Sequence, residues 1–475
     1  MAGNYLVNYT VPVHSGIFYK SSFAVYIYED AGQTLYLVKE PYIDPNLRSL
    51  VAHAVTSIST WLAPSPVIDV DPLGYLFAEM KRGGLLNRQT SQEDIMAATH
   101  YLTRDILGYW LLDPLIRDPE IEDISCEGID RPVKVWHRRF NASGWLETNV
   151  SFSDHDKLDA IVTRLVHRSG RSISTISPIV DSILPEGFRL AATWGKEVTS
   201  LGSSFTIRKL RTEPFTLSEL IRAGTLDTSV AAYLWLLLDM KGFIMIAGVT
   251  ASGKTTLLNS IATVLNPSWK IISIEDTREL TLPHTGWKPL HTRNLSLRGG
   301  SITLFDLVKL SMRERPDFVI LGESRGQEVQ ALFQSAASGS GNMTTFHAPN
   351  VESLIARLTQ PPLSVSPSLL SLIDSIVFMV KRQGGSKRFV GDVVEMFDAP
   401  RPLFRKTDTC WEGSAHESRK LEARAGGFGY SSRRIAHELD RRTGFLERLV
   451  GSGVTDYARL SSELRRFYLS SNLTL

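Results

Sequence analysis

The stretch Gly248-Val249-Thr250-Ala251-Ser252-Gly253-Lys254-Thr255 constrains this chain more than any other. It fits the spacing GxxxxGK[ST], follows the apolar run Phe243-Ile244-Met245-Ile246-Ala247, and opens a helical pattern at Lys254. A strand, a glycine-bearing loop and a helix N-terminus in that order aim backbone N–H groups at one point, which suits phosphate oxygens. Gly253 lets the backbone approach a ligand closely. Lys254 is placed to reach the β- and γ-phosphates of a nucleoside triphosphate, and the Thr255 hydroxyl to ligate Mg²⁺. Gly248, Thr250, Ala251, Ser252 and Thr256 complete the candidate nucleotide-binding set.

Acidic residues follow two other apolar runs. Phe318-Val319-Ile320-Leu321-Gly322-Glu323 puts Glu323 just past a strand, where it could orient or deprotonate an attacking water, directly or through the shell of a Mg²⁺ ion. Ile272-Ser273-Ile274-Glu275-Asp276 ends in paired carboxylates, of which Glu275 is the second catalytic candidate. His347 ends a further run, Met343 to Phe346, and is a candidate sensor of the γ-phosphate. Hydrolysis also needs positive charge on the transferring phosphoryl group, which P-loop rings commonly take from a neighbouring subunit. Arg189, Arg208, Arg211, Arg293 and Arg325 are candidates that sequence alone does not separate.

Around these motifs, short continuous apolar strands alternate with amphipathic helices from residue 217 onward. Strands are expected at 243–247, 271–274, 318–321 and 343–346, with helices at 229–239, 254–265, 303–313 and 326–337. That grammar specifies a doubly wound α/β domain with a mostly parallel sheet. Upstream, two runs around Asp30-Ala31-Gly32-Gln33 read as a hairpin, and helices are expected from Asp44, over 94–117 and over 156–168. Four regions result: an N-terminal α+β region over 1–90, a second α+β domain over 91–210, the P-loop domain over 211–400, and a basic helical region over 401–475. From 401 onward 14 Lys and Arg stand against 9 Asp and Glu, and apolar spacing at Ile435, Leu439, Phe445, Leu446 and Leu449 suggests a helical hairpin.

Composition narrows the partners. Lys plus Arg number 52 against 50 Asp plus Glu, so a histone-like basic binder and an acidic disordered activator are both excluded. Two cysteines, Cys126 and Cys410, are too few for a disulfide framework or a four-cysteine zinc site. Met1-Ala2-Gly3-Asn4 shows no signal-peptide pattern. No apolar run reaches the roughly 18 residues of a membrane-spanning helix.

The motifs in this order resemble the type II/type IV secretion ATPase superfamily, and within it the archaeal secretion and archaellum-type assembly ATPases. Ala251 through Asn259 looks like that family's Walker A, and Ser273 through Leu280 with Leu282-Pro283-His284 its Asp box. Arg315 through Gly326 is similar to its Walker B, and Thr344 through Ala348 to its His box. Asp118 through Ile124 and Leu184 through Arg189 look like motifs of the domain preceding the motor. The resemblance implies a RecA-like P-loop NTPase motor, ATP with Mg²⁺ as ligands, and a homohexameric ring with ATP between the two domains of a protomer. It also implies a cytoplasmic location, peripheral to the membrane, under a polytopic platform protein that assembles pilin-like subunits. Two departures stand out: Ser324 replaces a branched apolar residue, and Ala337-Ser338-Gly339-Ser340-Gly341 replaces a Thr-Gly-His run.

The alternative reading is a nucleic-acid motor for DNA uptake or conjugation. The basic C-terminal region permits it, but no aromatic-interleaved basic stretch supports it, so nucleic acid is not the expected partner. A nucleotide-gated scaffold without turnover conflicts with the intact Lys254 and Glu323. No Asn-Lys-x-Asp guanine-reading motif occurs, and Leu297-Arg298-Gly299-Gly300 is only a fragment of an ABC-transporter signature.

Overall fold

The computed structural model describes residues 4–15, 20–61, 74, 91–209, 214–292, 301–382 and 387–470. The chain forms two compact units, Met1–Arg211 and Thr212–Leu475.

The first unit is built on one sheet. Its strands are β1 (Asn4–Ser15), β2 (Lys20–Asp30), β3 (Gln33–Lys39), β4 (Ile121–Cys126), β5 (Pro132–His137), β6 (Trp145–Ser151), β7 (Ile179–Ile183), β8 (Arg189–Thr193) and β9 (Ser204–Arg208). They lie in the order β1-β2-β3-β6-β5-β4-β9-β8-β7. The expected hairpin forms, with Ala31 (φ 50°) and Gly32 (φ 81°) both left-handed, the turn geometry that matches strand twist. β3 then pairs in parallel with β6 through Leu35–Glu147 and Tyr36–Thr148. The N-terminal strands and the segment after residue 91 therefore share one sheet, and most of 62–90, where a division was expected, lies outside the described residues. Buried Asp118 helps join the two parts: its Oδ2 accepts from the Tyr9 and Tyr36 hydroxyls, each at 2.5 Å.

The helix His155–Arg168 buries Leu158, Ile161, Val162 and Leu165, one stripe at helical spacing. The single helix expected over 94–117 is instead broken. An α-helix, Gln92–Leu102, passes into a π-turn at Thr103–Leu107, and a second α-helix, Asp113–Arg117, follows an extended Gly108. Gly108 is held by packing: a Cβ there would fall 2.1 Å from Asp113 Oδ1, the atom that also accepts from Tyr109 N.

The second unit carries β10 (Phe243–Gly248), β11 (Ile271–Glu275), β12 (Trp287–His291), β13 (Phe318–Leu321), β14 (Gly341–Phe346), β15 (Ser375–Lys381), β16 (Arg388–Met396), β17 (Pro400–Lys406) and β18 (Trp411–Gly413). Their order is β12-β11-β13-β14-β10-β15-β16-β17-β18. The six strands from β12 to β15 run parallel, and β16 to β18 continue antiparallel. Every residue of β10, β11, β13 and β14 is buried, as a sheet covered on both faces requires. Beyond residue 400, where helix was expected, the chain first adds β17 and β18 to this sheet.

Helices Ser432–Gly451 and Tyr457–Ser470 then pack on the sheet's own helices. The five apolar residues from Ile435 to Leu449 named above are all buried. Trp235, in helix Thr228–Asp239, lies 4.6 Å from the Phe467 ring and 5.7 Å from that of Phe445. At the centre, fully buried Arg442 pairs with Asp239 and Glu438, while Tyr468 Oη donates to Asp239 Oδ1 at 2.6 Å. Removing one partner of a buried ion pair leaves a charge that water cannot reach. Asp239→Ala should therefore lower unfolding free energy by about 3 kcal/mol, read by urea denaturation, whereas a loss under about 1 kcal/mol would mean that this contact does not hold the C-terminal helices.

Candidate functional site

The glycine-bearing loop leaves β10 and enters the helix Lys254–Ala262 through Gly253, whose φ of 94° is left-handed. Ala251 is left-handed as well, at φ 58°. A Cβ at Gly248 would fall 2.6 Å from the Met379 carbonyl oxygen and 2.7 Å from Ser252 Oγ, so only glycine fits at the strand end. Ser252 is fully buried, and its hydroxyl has no hydrogen-bond partner among the described residues. The helix has no side-chain cap, so its first-turn N–H groups are the donors a phosphate would take. Lys254 Nζ donates to the Val249 carbonyl at 3.0 Å, across the mouth of the loop. An orphaned hydroxyl, a glycine cradle and uncapped N–H groups together fit a nucleotide phosphate chain.

The sheet order decides which other groups share this edge. β14 lies directly beside β10, with Ala247 opposite Phe346, so His347 emerges next to Gly248. β13 is next, and Glu323 emerges beyond Leu321 and Gly322. Lys254 Nζ lies 3.4 Å from His347 Nδ1, and His347 Nε2 lies 2.9 Å from Glu323 Oε1. Arg325 pairs with the other carboxylate oxygen of Glu323. Partial burial lowers the pKa of His347, and the neighbouring Lys254 lowers it further, so the imidazole is neutral at pH 7. Burial opposes ionisation of Glu323, but the Arg325 hydrogen bond and the neighbouring positive charges together outweigh it and hold that carboxyl below its ordinary value. Burial likewise lowers the Lys254 pKa, with Glu323 working against it.

Of the residues singled out in the sequence, Lys254, Glu323, His347 and Arg325 thus converge. Thr255 and Thr256 are half-buried on the first helical turn, and Val249, Thr250 and Ala251 are exposed on the loop. Glu275 sits one strand further, on β11, and faces its own loop. Its Oε1 accepts from the N–H groups of Glu279 and Leu280, both at 3.0 Å, and its Oε2 is buried without a partner among the described residues. A Cβ at Gly322 would lie 2.9 Å from Glu275 Cγ, which explains a glycine before Glu323. Arg189 and Arg208 belong to the first unit, where Arg189 Nη2 donates to Asp181 Oδ2 at 2.7 Å. Arg211 and Arg293 lie outside the described residues.

The two departures have local explanations. Ser324 is buried and donates through Oγ to the Thr345 carbonyl at 3.0 Å, while Thr345 Oγ1 donates to the Gly322 carbonyl at 2.7 Å. These bonds staple the ends of β13 and β14. Residues 337–341 lie at the amino end of β14, away from His347, and a Cβ at Gly341 would fall 2.3 Å from the Phe318 ring. Sequence reasoning missed Arg357, on helix Val351–Thr359, which donates to the His347 carbonyl and sits 5.0 Å from the centre of the Phe346 ring. Nothing in its spacing from His347 announces that contact.

This is a P-loop NTPase domain of the α/β class. The description "Type II/IV secretion system protein" matches residues 123–383, more than half of the chain, and the chain belongs to that family. A protein of Methanocaldococcus jannaschii named as uncharacterized is 35% identical over 384 residues, covering 78% of this chain and 69% of its own. The type IV secretion system protein PtlH of Bordetella pertussis is 30% identical over 317 residues, covering 59% of this chain and 93% of its own. Among solved structures, the Legionella pneumophila ATPase DotB aligns with a TM-score of 0.44 at 19% identity, over 71% of this chain and 85% of that one.

Burial raises the Glu275 carboxyl from 4.5 to about 7, only partly offset by the two N–H groups. The folded chain therefore keeps this proton where the unfolded chain has lost it, and stability falls as pH rises from about 5 to about 8. Glu275→Gln should match the parent protein at pH 5 and exceed it at pH 8 by up to ~3 kcal/mol in urea unfolding. A difference that does not change with pH would contradict the burial of an ionisable carboxyl there.

Proposed function

We propose that this chain is an ATP hydrolase that powers assembly or secretion of type IV pilin-like filaments through a membrane platform protein. The observation that carries the hydrolase reading is the convergence of Lys254, His347 and Glu323 beside the phosphate loop, with Nζ 3.4 Å from one imidazole nitrogen and the carboxylate 2.9 Å from the other. Lys254 would exchange the Val249 carbonyl for the β- and γ-phosphate oxygens. Glu323 would position and deprotonate the attacking water, and neutral His347 would donate to or accept from the γ-phosphate. Arg325, exposed beyond Glu323, can swing from that carboxylate toward the phosphoryl oxygens. Mg²⁺ held at the Thr255 hydroxyl, with Glu323 reaching it through water, would supply charge neutralisation on the phosphates.

Membership of a secretion-system family supports a mechanical use of this energy. No helix among the described residues is long and apolar enough to cross a membrane. The proposed coupling runs through a polytopic platform protein. The working form is a homohexamer at the cytoplasmic face of the cell membrane. Arg189, Arg208 and Arg293 are the proposed donors of positive charge between domains or subunits.

Two variants test the chemistry. Lys254→Ala should cut ATP turnover by about a hundredfold or more, and unchanged turnover would remove the phosphate-loop assignment. Glu323→Gln should still bind ATP while losing turnover to a similar degree; normal turnover would remove Glu323 as the catalytic carboxylate. Stimulation of the parent activity by vesicles carrying the platform protein, and none by DNA, is expected. The reverse pattern would favour a nucleic-acid motor.

A further inference from the structure

The γ end of the site is marked by Lys254, His347 and Glu323, all on the β14 and β13 side of β10. The other side of the loop is walled by β15 and β16. Met379 of β15 stands opposite Gly248, and Arg388 begins β16, paired with Lys381. A Cβ at Gly253 would lie 3.4 Å from Met379 Cε and 3.6 Å from Arg388 Cδ, so the aliphatic stem of Arg388 runs along the phosphate loop. The start of β16 is fastened by Val390 N, which donates to the Thr225 carbonyl at 2.7 Å. Arg325 and Arg357 at the same edge are already engaged, by Glu323 and by the His347 carbonyl. The guanidinium of Arg388, by contrast, is exposed and has no hydrogen bond, ion pair or ring contact among the described residues. Lys381 at the end of β15, and Arg382 and Lys387 just beyond the paired strand ends, are exposed and add positive charge.

We propose that Arg388 is a nucleotide-binding residue that grips the nucleoside diphosphate portion of the substrate, its α- and β-phosphates, from the side of the loop opposite Glu323. This rests on nucleotide binding at the phosphate loop. Packing of the stem against Gly253 and Met379 holds the guanidinium fork close to its bound position, which reduces the ordering cost of a charge-assisted contact. A contact on that side is made equally by ADP and ATP, because neither its partner nor its charge depends on the γ-phosphate.

Fluorescent ADP and ATP titrated into the full chain would test this, using Arg388→Met, Arg388→Lys and Lys254→Ala. Methionine keeps the apolar stem and removes the charge. Arg388→Met should weaken both nucleotides by about tenfold, and Arg388→Lys should recover part of that loss. Melting temperature without nucleotide should match the parent for both variants. Affinities within about twofold of the parent for both nucleotides, or a loss confined to ATP, would overturn the assignment. Parent-like binding by Lys254→Ala would instead overturn the phosphate-loop reading beneath it.

Discussion

Burial of the parallel sheet on both faces is the constraint on which the rest of the second unit depends. With β10, β11, β13 and β14 wholly buried, polar chemistry has no place along the strands and collects where they end. Strand order then decides which ends meet. Because β14 separates β10 from β13, His347 stands between Lys254 and Glu323, and the three form a chain of polar contacts. Glu275, one strand beyond, is left with backbone N–H partners and a raised affinity for its proton.

The same sheet carries structure far from this edge. Its antiparallel extension, β16 to β18, places Arg388 along the loop and leads into the C-terminal helices. Those helices are tied to helix Thr228–Asp239, which directly precedes β10, through Arg442, Asp239 and Tyr468. A charged cluster of this kind contributes less net stability than its contacts suggest, but it is costly to break and so pins one arrangement. The C-terminal segment is thereby part of the P-loop unit's core.

Legibility in the sequence followed the range of the interactions involved. The four strands 243–247, 271–274, 318–321 and 343–346 were readable because each is a short apolar run set between amphipathic helices. The phosphate loop was readable because backbone geometry dictates its glycines. Glu323 and His347 followed from their positions after strands. By contrast, β12, with Pro289 and half-exposed residues, carries no such pattern. The pairing of β3 with β6 joins residues more than a hundred apart, and periodicity says nothing about partners at that distance. Arg357 and Arg388 were missed for the same reason: their relation to the loop exists only once β14, β15 and β16 are laid side by side.

The proposed hydrolysis requires a triphosphate clasped at the start of the Lys254 helix, with the Glu323 carboxylate facing its γ end. A crystal structure of the chain with a non-hydrolysable ATP analogue and Mg²⁺ tests it most directly. Lys254 Nζ should be released from Val249 and bonded to phosphate oxygens, with a water between Glu323 and the γ-phosphorus. An empty loop, or Glu323 turned away from an occupied one, would contradict it.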